Sequence, residues 1–373
     1  MLFRDIIGQE TTKQRLKNLV HEERIPHALL INGSAGIGKL SLALAFAQYI
    51  NCKHPTTDDA CGTCPSCVKF AKLEHPDLHF VFPIVKLEKS KVAICDDFVS
   101  DFRHFLLQNP YGSNNDWMSQ IASEKQGMIY EAESNEIVRK LSLKTYESEY
   151  KVMAIWQPER MNAVCANKLL KILEEPPAKT LFLLVSEQPD ALLTTIQSRT
   201  QRINVPLIHN IDLAEAVQSR FNLSEEHARY VARIANGNFR KALEIIELNE
   251  EQKFNFEQFV YFMRQSYQRN VFELKSWSEM MAKIGRERQK SFISYVQKML
   301  RENFILNLKQ EELNYLNQDE MQFSQKFSPF VNERNIEAMM DQVDLAELHI
   351  EGNVQAKMVF LDLSLQFSHL LKK

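Results

Sequence analysis

The chain has 373 residues, 45% hydrophobic and 25% charged, with a net charge of -3. That balance excludes a disordered or fibrous chain, and at roughly 150 residues per domain the length predicts two or three domains. Basic and acidic residues number 24 and 24 before Pro206 and 21 and 24 from there on, so gross positive charge does not carry this protein to nucleic acid. Apolar runs such as residues 181–185 fall far short of the ~18–20 residues a membrane span needs. The N-terminus, with Arg4, Asp5 and Glu10, has no apolar signal-peptide core, so the expectation is a cytosolic, reducing setting.

In chain order, Ala28, Leu29, Leu30 and Ile31 form a short apolar run that meets a glycine-rich turn, which predicts a buried strand followed by a helix over residues 39–50. Residues 152–156 and 181–185 read as two more strands, and 203–205 as another. A helix over about 162–175 separates the middle two and stops at Pro176 and Pro177, which cannot continue the hydrogen-bond ladder. Such alternation predicts a parallel sheet with helices on both faces. Residues 86–126 read as an insertion with one helix over 97–107 and a turn at Asn109, Pro110, Tyr111 and Gly112, with no legible function.

Eleven of the twelve prolines lie at or before Pro206, and only Gly237, Gly285 and Gly352 follow it. The remainder is nearly free of breakers and should be helical, as a small unit over about 206–248 and a larger one from about 252 onward. Phe292, Val296, Met299, Leu300 and Phe304 recur as the stripe of an amphipathic helix, and Val354, Met358, Leu361, Leu365, Phe367, Leu370 and Leu371 repeat that style.

Two motifs carry chemistry. Gly33-Ser34-Ala35-Gly36-Ile37-Gly38-Lys39 sits between a predicted strand and a predicted helix, the context of a phosphate-binding loop. Its glycines turn backbone N–H groups inward, the helix N-terminus adds positive potential, and Lys39 can reach the phosphates of ATP or ADP. The hydroxyl that normally holds Mg²⁺ next in sequence is replaced by Leu40, and Ser41 is turned about 100° around the helix. Phosphate-loop ancestry is therefore expected, and retained nucleotide binding is a separate question. The second motif is Cys52, Cys61, Cys64 and Cys67, a complete tetrahedral thiolate set with no open position, which predicts structural Zn²⁺. An iron–sulfur cluster is the alternative the spacing leaves open. His54 and His75 are near but unnecessary, and Cys95 and Cys165 read as ordinary buried thiols.

With these motifs, Phe3, Asp5, Ile6, Ile7, Gly8 and Gln9, the Leu173-Glu174-Glu175-Pro176-Pro177 stretch and Ser198-Arg199-Thr200 make residues 1–245 resemble bacterial clamp-loader subunits of the AAA+ family, most closely the DNA polymerase III delta-prime type. The resemblance implies an α/β plus all-α chain. An AAA+ domain over 1–206, with a zinc insert at about 52–67, would precede a helical lid over 207–250 and a helical collar over 251–373. Through the collar the chain would join a hetero-oligomer with gamma/tau and delta subunits. It would reach the sliding clamp and primer-template DNA through that cytoplasmic, nucleoid-associated complex, with no membrane.

ATP-hydrolysing members of the family carry Asp-Glu after the second central strand. Counting back from Leu173 places Trp156 and Gln157 there, with Glu159 two residues beyond. Trp156 cannot ligate a metal and Gln157 cannot take a proton from water. The resemblance thus implies a subunit that is not an enzyme on its own but a component of the DNA-directed DNA polymerase holoenzyme. It also implies that Arg199 acts as an arginine finger on a neighbour's ATP, and that Arg240 in Gly237-Asn238-Phe239-Arg240 points at the chain's own nucleotide loop or, if that loop is empty, pairs with a local carboxylate. The rival readings are an ATP-hydrolysing gamma/tau-type subunit and a stand-alone zinc-containing nucleic-acid-binding protein.

Overall fold

A computed structural model describes residues 1–86, 93–121, 123, 126–307 and 316–372. Parts of the 86–126 insertion, residues 87–92, 122, 124 and 125, lie outside the described residues. The chain divides into two compact units, Met1–Ile246 and Glu247–Lys373.

The first unit is built on five parallel strands, β1 (Ala28–Asn32), β2 (Leu78–Val81), β3 (Lys151–Trp156), β4 (Thr180–Ser186) and β5 (Gln201–Asn204), in the spatial order β2-β3-β4-β1-β5. Every position of β1, β3 and β4 is buried, as a parallel strand covered on both faces requires. β5 is an edge and exposes Gln201, Arg202 and Asn204. The sequence reading missed β2, because four residues interrupted by His79 show neither length nor alternation. The helix Lys39–Ile50 is buried along its whole length between the sheet and its neighbours, which explains why it has no polar stripe. Helix Ala163–Glu174 starts where the Asn162 side chain accepts the Cys165 N–H at 2.8 Å.

Within the insertion, the helix expected over 97–107 runs Val99–Gln108 after a 3₁₀ turn over Cys95–Phe98. A second helix, Asn114–Gln120, follows the turn and was not read from the sequence. The polar run Asn114, Asn115, Asp116 hides it from hydropathy. Ser113 declares it by accepting the Asp116 N–H while the Asp116 carboxylate accepts the Ser113 N–H. Helices Asn210–Phe221 and Glu225–Ala235 and the start of Phe239–Gln268 belong to this unit, burying Leu213, Val217, Val231, Phe239 and Ala242 in its core.

The second unit is helical among its described residues, with Val271–Met281, Arg286–Asn307, Gln318–Phe327, Ile336–Glu351 and Ala356–Leu370 packed around Phe259, Phe262, Trp277, Phe292 and Phe360. Phe262 stacks on Trp277 with centroids 4.9 Å apart. The stripe from Phe292 to Leu300 is fully buried, as its period implies. The last helix departs from its reading. Val354, Met358 and Leu365 are exposed, by 45%, 56% and 38%, and the core face is Val359, Phe360, Leu363, Phe367 and Leu370. Both faces are apolar, so periodicity alone could not select between them.

Candidate functional site

The phosphate loop lies where the motif placed it, between the end of β1 and helix Lys39–Ile50. Gly36 and Gly38 hold φ of 68° and 84°, left-handed values that a side chain would strain. Around this loop the geometry departs from a nucleotide cradle. Lys39 is 5% exposed, and its ammonium turns back to donate to the Ser34 carbonyl and lies 3.7 Å from Glu187. Burial pushes the Lys39 pKa down, against the opposing pull of Glu187 and Glu159. A Cβ at Gly36 would stand 1.9 Å from Asn238 Oδ1, and one at Gly38 would stand 2.7 Å from the Tyr111 ring. The Tyr111 hydroxyl accepts the Ile7 N–H at 2.9 Å, and its ring packs on Phe239 with centroids 4.8 Å apart. Arg240 makes a two-pronged ion pair with Asp116, at 2.9 and 2.8 Å.

At the end of β3, Trp156 is 4% exposed and packs against Phe102 and Phe105, with centroids 5.6 and 6.1 Å away. Gln157 follows at φ 54°, is 2% exposed, and its Oε1 has no hydrogen-bond partner among the described residues. Glu159 Oε1 accepts the Glu187 and Gln188 N–H groups, a structural duty that ties it to the loop after β4.

Cys52, Cys61, Cys64 and Cys67 are brought together with their sulfurs all within 4.8 Å of one another. Four ligands at ~2.3 Å from a tetrahedral zinc stand about 3.8 Å apart, and the Cys61 and Cys67 sulfurs are 3.9 Å apart. Backbone N–H groups of Cys61, Cys64 and Cys67 point at the sulfurs of Cys52, Cys61 and Cys64, at 3.3, 3.3 and 3.5 Å. Such donors favour thiolates, and the Thr63 and Cys64 N–H groups hold the Cys61 pKa down at about 6, whereas burial pushes Cys52 and Cys67 up. The set fits a metal, which would supply a cross-link between the insert's turns. His75 is outside it, stacked on Phe70 and hydrogen-bonded to the Ser148 hydroxyl at 2.9 Å. Cys95 and Cys165 are fully buried single thiols, and burial pushes Cys165 up to about 12.

Arg199 follows the short helix Thr194–Gln197 at the approach to β5. Its side chain is 34% exposed, pairs with Glu174 at 2.7 Å and donates to the Thr195 carbonyl at 2.9 Å. The sequence reading named Lys39, Arg199, Arg240 and the cysteines, and missed Tyr111, Asp116 and Glu187. No local pattern links a turn at residue 111 to a loop some seventy residues earlier.

A parallel five-stranded sheet with a phosphate loop after β1, joined to helical segments, defines an AAA+ module. Residues 8–209, more than half of the chain, match the family described as DNA polymerase III, delta subunit, and the protein belongs to that family. The delta-prime subunit of DNA polymerase III from Pseudomonas aeruginosa is 33% identical over 181 residues, 48% of this chain and 43% of that protein. The delta-prime subunit from Bacillus subtilis is 27% identical over 248 residues, 66% of this chain and 60% of its own length. The tau subunit of Bacillus subtilis is 27% identical over 254 residues, 66% of this chain and 37% of its own. The chain thus spans less than two thirds of each of these relatives. None of its described helices is long and apolar enough to cross a membrane.

Proposed function

We propose that the chain is a delta-prime-like, non-hydrolysing subunit of the DNA polymerase III clamp loader, helping to open a sliding clamp and close it on primed DNA. The observation that carries this reading is Trp156. The position that must hold a metal-organising carboxylate is an indole sunk in an aromatic cluster, so neither Mg²⁺ nor a polarised water has a ligand there. Leu40 and Gln157 support it.

The arginine finger is proposed at Arg199. Its guanidinium is one third exposed and held by Glu174 alone among carboxylates within 4 Å in the described residues, so a neighbour's γ-phosphate could compete for it. Zn²⁺ on the four cysteines would stabilise the insert. The functional division is an AAA+ domain over 1–206, a lid over 207–250 and a collar over 251–373. Collar assembly with gamma/tau and delta subunits is supported by the exposed Met358 and Leu365, which with Leu361 lie at i, i+3 and i+7 of the last helix, an apolar stripe left without a core to cover. Work in the cytoplasm at the replisome follows from this role.

A steady-state ATPase assay with Mg²⁺ on the isolated chain should show buffer-level turnover. Robust turnover that Lys39→Ala abolishes would overturn the reading in favour of a gamma/tau-type ATPase.

A further inference from the structure

We propose that residues 109–116 are an internal occupant of the phosphate-loop site, and that removing the side chains of Tyr111 and Asp116 opens it to a nucleoside diphosphate. The inference deepens the reading of a subunit that does not hydrolyse ATP, and rests on it.

A nucleotide presents three things to its site: a flat ring, acceptor atoms at the ring's edge, and an anion. The insertion offers all three. The ring of Tyr111 lies against Gly38, the residue from which helix Lys39–Ile50 springs and the place where phosphates settle on a helix N-terminus. Its hydroxyl takes the buried Ile7 N–H, a donor that would otherwise need another acceptor. The Asp116 carboxylate takes both prongs of Arg240, a cation whose neighbours Asn238 and Phe239 touch the loop at Gly36 through the Asn238 side chain and the Phe239 N–H.

The segment is also anchored in the protein's interior. Ser41, one residue beyond the missing metal hydroxyl, donates its Oγ to the Pro110 carbonyl at 2.8 Å. A Cβ at Gly112 would stand 2.6 Å from the Phe105 ring, so only glycine lets the turn approach that closely. Phe105 in turn packs on Trp156. Trp156, at the position of the metal-organising carboxylate, and the turn against the phosphate loop are therefore parts of one packed cluster.

The test is calorimetric titration of full-length zinc-loaded protein with ADP, without Mg²⁺, comparing wild type with Tyr111→Ala/Asp116→Asn. Should the double variant not fold, as judged by circular dichroism and zinc content, Asp116→Asn alone serves, since that side chain is 22% exposed, the amide oxygen can still accept from Ser113, and Arg240 loses its two-pronged partner while keeping Glu244 at 3.7 Å. The expected result is no heat with wild type up to millimolar ADP and at least tenfold tighter binding in the opened variant, lost again when Lys39→Ala is added. Equal ADP affinity in wild type and the folded variant, whether both bind or neither does, overturns the proposal. Neither result touches the non-hydrolysing reading, which only ATP turnover by wild type would remove.

Discussion

Replacing Arg199 by alanine separates a role inside the chain from a role in a neighbour's site. Inside the chain its partners are the Glu174 carboxylate and the Thr195 carbonyl, and the ion pair is exposed by 34% on one side and 49% on the other. Exposed pairs of this kind contribute only ~0.2–1 kcal/mol. At ~2–4 °C per kcal/mol for a unit of this size, Arg199→Ala should lower the melting temperature by at most about 4 °C. Glu174→Gln, which breaks the same pair and keeps the guanidinium, should do the same. The two variants part company in the reconstituted clamp loader. A finger is worth ~10³–10⁵ in rate at a single phosphoryl-transfer site, and an assembly with several ATP sites should lose less. Arg199→Ala is therefore expected to join the complex and lower its DNA- and clamp-stimulated ATP hydrolysis by about tenfold, ~1.4 kcal/mol at the barrier. Glu174→Gln and Arg202→Ala should leave the rate unchanged, Arg202 being an exposed residue of β5 that bonds to Asn32 and Asn204. If Arg199→Ala turns over at the wild-type rate, or fails to assemble as Arg202→Ala also fails, Arg199 is a structural residue and the reasoning is wrong.

Elemental analysis of protein purified without chelator should find one zinc per chain, and Cys64→Ser together with Cys67→Ser should remove it and loosen the insert in hydrogen exchange; zinc that survives the double change would locate the metal elsewhere. Met358→Glu with Leu365→Glu should leave the isolated chain's melting temperature within about 1 °C, both residues being exposed, while abolishing co-purification with partner subunits; unimpaired assembly would clear the stripe of that role. Asp77 accepts the N–H groups of Tyr146, Glu147 and Ser148 at 2.7, 3.0 and 2.9 Å. Burial pushes its carboxyl up, and those donors together outweigh burial and hold the pKa below its ordinary value of 3.8. A lowered carboxyl stabilises the fold above its unfolded pKa and loses that contribution as pH falls through the folded one. Asp77→Asn should accordingly be less stable than wild type at pH 7, with the gap in urea midpoint closing below about pH 4; a gap unchanged down to pH 3 would mean the charge is irrelevant.

Local chemistry is what the sequence by itself determined. Strands β1, β3 and β4 and helix Lys39–Ile50 were legible because each is a single run whose apolar content is settled within a dozen residues. The thiol cluster and the phosphate loop were legible because their ligand atoms come from adjacent turns. That Trp156 and Gln157 stand at the end of β3 could be read by counting from a neighbouring motif. What required the tertiary structure is everything decided between distant segments. β2 exists because β3 offers it a partner, with Leu78 opposite Val152 and Val81 opposite Ile155, and four residues have no conformation of their own without that ladder. The last helix has two apolar faces, and only packing against the second unit's core chose Phe360 and Phe367 over Met358 and Leu365. Tyr111 met Gly38, and Asp116 met Arg240, across 73 and 124 residues of chain. Contacts of that separation are set by shape and by the satisfaction of buried polar groups, which no window of sequence contains.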